Sequence, residues 1–298
     1  MPPSPRITPA IRLWSFDARS PEPALLPETV PPNATTLDQV SAALAGGAYT
    51  TLRTYAGSQA LKLDEHLRRL TETARLAGVP LALNEPAMRL ALRYAMQGFW
   101  GARAAEAPPP DLRLRLTVDL ERQPGKAYIA AQPLTPLPAE LYAHGAAAIT
   151  RRMTRQLPEA KLTRFIARSQ AARRALSDGI NEALMVNARD EITEGLSSNF
   201  FAVLGGALRT AGTGVLHGVT RALALENIQA LGLRLAFEPL RLAELPQLEE
   251  AFITSSSRGV LPLRRIDEQR VGTGAPGSVT LAIMKAFAEA IRRLAEPI

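Results

Sequence analysis

The chain has 298 residues, 35 Lys+Arg against 28 Asp+Glu, a formal net charge of +7 and no cysteine. That composition excludes disulfides, thiolate nucleophiles and cysteine-ligated zinc or iron–sulfur centres, and no metal site is expected. The length allows one large or two modest domains with a substantial apolar core.

Residues 1–36 are rich in proline and hold one apolar stretch, Ile11 to Phe16, that reads as a strand followed by an irregular connection. A short helix is expected over Leu37–Leu44. Gly46–Gly47 then precede a β-branched run, Ala48–Tyr55, which reads as a strand closed by a turn at Ala56–Gly57. Apolar residues Leu67, Leu70, Ala74 and Leu76 recur at helical spacing between Asp64 and Ala77, with Gly78 as the stop. A second helix starts at the cap Asn84 and runs to Gly98. Residues 101–111 read as a mobile loop. Leu112–Val118 alternates apolar and polar residues, a half-buried strand with Arg113, Arg115 and Thr117 on one face. A partner strand near Tyr128–Ala131 follows.

Three prolines in 133–138 mark the boundary between a small N-terminal α/β domain (1–132) and a larger C-terminal domain (139–298). The second domain reads as mixed: a helix at 163–178, strands at 183–187 and 199–204, a helix from Val219 to Gly232, strands at 233–238 and 251–254, and a C-terminal helix over 279–295. The fold class is therefore α/β (α+β).

The arginines are scattered among acids and leucines and aromatics make up only 5% of the chain, so a nucleic-acid partner is not expected. No run of 18 apolar residues occurs, and MPPSPRITPAIRLW lacks the layout of a signal peptide. A cytoplasmic protein without a membrane partner is expected.

Lysine is scarce: the four are Lys62, Lys126, Lys161 and Lys285. Lys161 stands before an amphipathic helix. Downstream lie Glu194-Gly195-Leu196-Ser197-Ser198-Asn199, then Leu216-His217-Gly218-Val219-Thr220-Arg221, then Thr254-Ser255-Ser256-Ser257. Gly218-Val219-Thr220 opens a helix, whose free N–H groups and dipole suit an anion such as a phosphate. The serine hydroxyls and Arg69 offer further donors. A phosphate site, a lysine amine and a carboxylate together suit pyridoxal phosphate, with the lysine on the aldehyde and the carboxylate on the ring nitrogen.

On these motifs the chain from Gly47 to about Phe287 resembles the class IV aminotransferases. These are the fold-type IV pyridoxal-phosphate enzymes, among them branched-chain and D-amino-acid transaminases and aminodeoxychorismate lyases. The resemblance implies a small α/β domain, a larger pseudo-barrel domain and a homodimer. It implies Lys161 as the Schiff-base lysine and proton shuttle, and Glu194 on the pyridine nitrogen. Arg69, in His66-Leu-Arg-Arg69, the backbone N–H groups of Val219 and Thr220 and the Ser256 hydroxyl would hold the phosphate. Leu216 would pack on the ring, with Ser197 and Asn199 around the cofactor. For the substrate, Tyr49, Arg115, Ser257 and Arg258 are candidates, with Arg113 and Arg53 competing for the carboxylate. The sequence departs from the family at Thr50, where a glutamate is common, and at Arg164, Phe165 and Gly259. The implied activity is transamination between an amino acid or primary amine and a 2-oxo acid. Pyruvate-releasing aminodeoxychorismate lyase activity and a catalytically silent binding fold are the alternatives.

Overall fold

The structure is a computed structural model that describes residues 11–101 and 109–298. Residues 1–10, at the head of the proline-rich segment, and 102–108, in the expected 101–111 loop, lie outside the described residues. The chain forms two compact units.

The first unit holds, among the described residues, 11–101 and 109–135 together with 160–166 and 295–298. Its strands are β1 (Arg12–Asp17), β2 (Leu26–Glu28), β3 (Gly47–Tyr55), β4 (Gln59–Leu61), β5 (Leu112–Asp119) and β6 (Lys126–Pro133). Its helices are α1 (Leu37–Ala43), α2 (Leu63–Leu76) and α3 (Glu85–Trp100). The strands form one antiparallel sheet, with Ala295–Pro297 added beside β4 and β2 at the opposite edge.

Helix starts follow their caps. Thr36 and Gln39 make a capping box at α1, and the Asn84 side chain accepts from Ala87 N at α3. Helices α2 and α3 cover one sheet face, burying Leu52, Leu114, Leu116, Ile129 and Ala131. Leu37 and Val40 of α1 pack with Leu13 and Ala130 on the other. Because both faces are covered, β5 is buried throughout except at Arg113, and Arg115 and Thr117 lie inside rather than on a wet face.

The second unit comprises 136–159 and 167–294. Its elements are α4 (Ala139–His144), β7 (Ala146–Arg152), α5 (Thr163–Arg174, whose first turn clusters with the first unit), β8 (Ile180–Val186), β9 (Glu191–Gly195), β10 (Asn199–Leu204), β11 (Ala207–Arg209), α6 (Val219–Ala230), β12 (Leu235–Ala236), β13 (Leu240–Arg241), β14 (Glu250–Ser255), β15 (Gly259–Ile266), β16 (Gln269–Arg270) and α7 (Ser278–Leu294).

Strands β10, β14, β15, β7, β8 and β9 neighbour one another in that order, and β9 pairs back onto β10, so the sheet closes into a six-stranded barrel. A closed sheet leaves no open edge among those strands. Alanines 146, 148, 202 and 251 share one apolar cluster with Leu184, Phe200, Ile253 and Leu261. Phe201 and Phe252, on neighbouring strands, stack with ring centroids 4.8 Å apart.

Several expectations change. The 163–178 helix ends at Arg174, and of the expected 233–238 strand only Leu235–Ala236 pairs. Strands β7 and β15, central to the barrel, are additional to the sequence reading.

Candidate functional site

In the first unit the chain returns at 160–163 to run beside the start of β3. Tyr49 N–H donates to Lys161 O at 2.9 Å, Gly47 N–H donates to Thr163 Oγ1 at 2.9 Å, and Ala48 bridges Leu162. Lys161 N–H also donates to Thr73 Oγ1 on α2 at 3.3 Å. These ties to β3 and α2 fix the base of the lysine, and its Nζ lies 4.8 Å from the centre of the Tyr49 ring.

Arg115 lies over the same ring, with its guanidinium carbon 5.0 Å from the centre. It is buried, and pairs with Asp38 of α1 at 2.7 Å while donating to Thr51 Oγ1 and Ser41 Oγ. These partners commit Arg115 to α1 and β3, which does not fit a carboxylate clamp for substrate. Arg53 pairs with Asp111 at 2.8 Å.

On the other face of β3, Thr50 meets α2. Its Oγ1 lies 2.7 Å from His66 Nδ1 and accepts from Arg69 Nη2 at 2.7 Å. Burial, reinforced by the positive charges of Arg69 and Lys161, holds His66 well below the ordinary imidazole range. His66 is therefore a neutral hydrogen-bonding group.

In the second unit the barrel closes at the Glu194–Asn199 pair. Glu194 is buried, and Arg155 Nε donates to its Oε1 at 3.0 Å. The second oxygen, Oε2, accepts from Leu216 N–H at 3.2 Å and Asn199 Nδ2 at 3.3 Å. Asn199 Nδ2 also donates to Leu216 O at 2.8 Å. Asn199 therefore braces the carboxylate and the 214–218 segment together. Arg155 is a partner the sequence reading missed, since no periodicity marks a loop arginine.

The loop leads through Gly218 into α6. No side chain caps this helix, so the N–H groups of Val219 and Thr220 stand at its positive end. A Cβ at Gly218 would collide with Asn199 Oδ1, which explains the glycine. Burial pulls the Arg221 guanidinium below its ordinary value, opposed by the Glu194 charge.

Arg258 and Ser197 both bind Glu182. Arg258 Nη2 pairs with buried Glu182 at 2.7 Å and donates to Ser197 Oγ at 2.9 Å, while its Nε donates to Ser255 Oγ. Ser197 and Ser198 each donate to Glu182 Oε2 at 2.8 Å. Despite the cost of burial, Arg258 and the two hydroxyls hold Glu182 below the usual carboxylate range. Arg258 thus staples the 195–198 turn to the 255–259 turn. An acid at the head of the apolar run Ala183–Val186 was the available signal for Glu182. Ser256 and Ser257 lie half-buried on the 255–259 turn. Its Gly259 has φ +63°, a conformation in which any side chain with a Cβ would be strained.

Among the described residues no group of three His, Asp or Glu is arranged to hold a metal, and no helix is long and apolar enough to cross a membrane.

Known proteins resemble this chain in sequence and in fold. A D-alanine aminotransferase of Bacillus licheniformis is 29% identical over 259 residues, 82% of this chain and 87% of that one. A fold IV transaminase of Curtobacterium pusillum superposes with a TM-score of 0.74 at 18% identity, covering 95% of this chain and 98% of that one. A hypothetical aminotransferase of Mycobacterium tuberculosis in its PLP-bound form gives 0.72 at 21% identity, covering 94% and 98%. The closed barrel is thus the fold-type IV architecture. The model of the family described as amino-transferase class IV matches residues 47–266, the span that carries Tyr49, Lys161, Glu194 and the start of α6, and the chain belongs to that family of enzymes.

Proposed function

We propose that the protein is a pyridoxal-phosphate-dependent aminotransferase that moves an amino group between an amino acid or primary amine and a 2-oxo acid. The observation that carries this reading is the junction of the second unit, where a buried carboxylate is tied through Leu216 and Asn199 to the uncapped start of α6. That donor set fits a cofactor with an anionic arm and a basic ring nitrogen. Glu194 suits the nitrogen because an opposite charge favours its protonated form, and the α6 amides suit the phosphate.

When bound, the cofactor supplies an electron-withdrawing ring that stabilises negative charge at the substrate α-carbon. In this reading Lys161 Nζ would hold the cofactor and would move the substrate α-proton. Tyr49 orients Nζ through its ring face. Arg155 and Asn199 keep Glu194 aimed; Leu216 would pack on the ring and exclude water, and Arg69, Val219 N–H, Thr220 N–H and Ser256 would be the groups to hold the phosphate. Tyr49 and Ser257 are the residues left to face substrate.

Purified with pyridoxal phosphate, the protein should be yellow, with a visible band that borohydride bleaches and Lys161→Ala abolishes. A panel of D-alanine, L-leucine and (R)-phenylethylamine then identifies the donor by conversion to the pyridoxamine form. A preparation that cannot be reconstituted overturns the enzyme mechanism, and pyruvate release from aminodeoxychorismate without that conversion replaces transamination by the lyase reaction. A cytoplasmic homodimer belongs to the same reading. Light scattering should give twice the chain mass of 32.1 kDa.

A further inference from the structure

We propose that Thr50 is a positioning residue whose hydroxyl, bridging His66 and Arg69, sets the Arg69 guanidinium for the cofactor phosphate. The inference rests on the reading of Arg69 as a phosphate ligand.

Thr50 is fully buried on β3, facing α2. His66 and Arg69 are three residues apart on α2 and so share a helix face. Three short distances close a triangle: Thr50 Oγ1 to His66 Nδ1 is 2.7 Å, Arg69 Nη2 to Thr50 Oγ1 is 2.7 Å, and Arg69 Nη2 to His66 Nδ1 is 3.3 Å.

The guanidinium fixes the direction of one of these bonds. A guanidinium only donates, so the Thr50 oxygen accepts from Arg69. Because the donor Arg69 Nη2 also lies 3.3 Å from His66 Nδ1, a bare Nδ1 that accepts the hydroxyl proton, with the ring proton on Nε2, fits all three distances. A neutral His66 agrees with its burial beside two positive charges. Threonine is stiff about its first side-chain torsion, which restricts where the oxygen points. A long arginine side chain otherwise loses much rotamer freedom on grasping an anion, and holding one nitrogen in advance reduces that loss.

The test uses Thr50→Val, which keeps the shape and removes the hydroxyl, and Thr50→Ser, which keeps the hydroxyl. Each apoprotein is titrated with pyridoxal phosphate and with pyridoxal, which lacks the phosphate. Thr50→Val should weaken pyridoxal phosphate by about tenfold and leave pyridoxal unchanged, the loss expected for one charge-assisted interaction. Thr50→Ser should retain the wild-type ratio. An unchanged ratio in Thr50→Val, or an equal loss for both aldehydes, overturns the proposal. If Thr50→Val does not fold, Thr50→Ala carries the same expectation. Arg69→Met separates the two levels: if it leaves the preference for the phosphorylated aldehyde intact, the reading of Arg69 itself fails.

Discussion

Glu194 and Asn199 lie opposite each other where the barrel of the second unit closes, and the Asn199 amide ties the Glu194 carboxylate to the carbonyl of Leu216. One side chain thus couples strand closure to the loop that starts α6. Asn199→Ala leaves a buried carboxylate oxygen and a carbonyl short of a donor. It should cost about 1–3 kcal/mol in denaturant unfolding and weaken pyridoxal phosphate binding. Asn199→Asp should cost more, because it sets a second carboxylate against Glu194.

Arg258 staples two turns through Glu182, Ser197 and Ser255. Removing one member of a buried ion pair strands the other, so Arg258→Met should destabilise the protein by about 3–5 kcal/mol. Glu182→Leu/Arg258→Met should recover much of that loss. Chemical denaturation of the two variants decides the matter. If Arg258→Met kept full stability and raised only the KM for the acid substrate, Arg258 would be a carboxylate ligand after all.

Stability should depend on pH through His66. Its folded pKa is depressed, so below about pH 6.5 the unfolded chain takes up a proton that the folded chain refuses. Stability is full above that pH and falls as the pH drops toward the folded value, by at most about 1.4 kcal/mol per pH unit for one proton. Unfolding free energies at pH 7.5 and 5.5 measure this, and His66→Gln should flatten the slope. Glu182 acts in a lower window: its depressed pKa adds stability that is present above about pH 4.5 and lost below it.

Val219→Pro isolates one amide. Val219 is the first residue of α6, where proline is tolerated, and Gly218 before it has φ −70° and ψ 141°, a conformation compatible with a following proline. The substitution deletes the N–H while keeping the helix. It should change stability by about 1 kcal/mol or less and weaken pyridoxal phosphate relative to pyridoxal by roughly tenfold. Equal affinities for the two aldehydes before and after would remove Val219 from the phosphate reading.

Helix α2 was legible from its apolar periodicity and the stop at Gly78, and α3 from its periodicity and the cap Asn84. Strand β5 was legible from its alternation, though not its burial on both faces, which comes from α1 packing over Arg115. Strand β7 begins Ala146-Ala-Ala, which carries little strand signal, and β15 contains Pro262, which ordinarily argues against a central strand. Pro262 is accommodated because the pairing with β7 starts one residue later, at Leu263.

By itself the sequence determined the family, through Lys161, the Glu194–Asn199 run and the Gly218–Arg221 helix start, and with it the closed-barrel fold. Those signals are local: each lies within a few consecutive residues whose chemistry is set by type and spacing. Which arginines are already engaged was decided only by the tertiary structure. Arg115 meets Asp38, Arg155 meets Glu194 and Arg258 meets Glu182 across separations of 39 to 77 residues. Such pairs form because burial requires each charge to find a partner, and chain packing, which residue order does not reveal, selects which one. The same holds for residues 160–166 and 295–298, which pack with the first unit because β3 and β4 offer them backbone partners. Nothing in their composition marks that return.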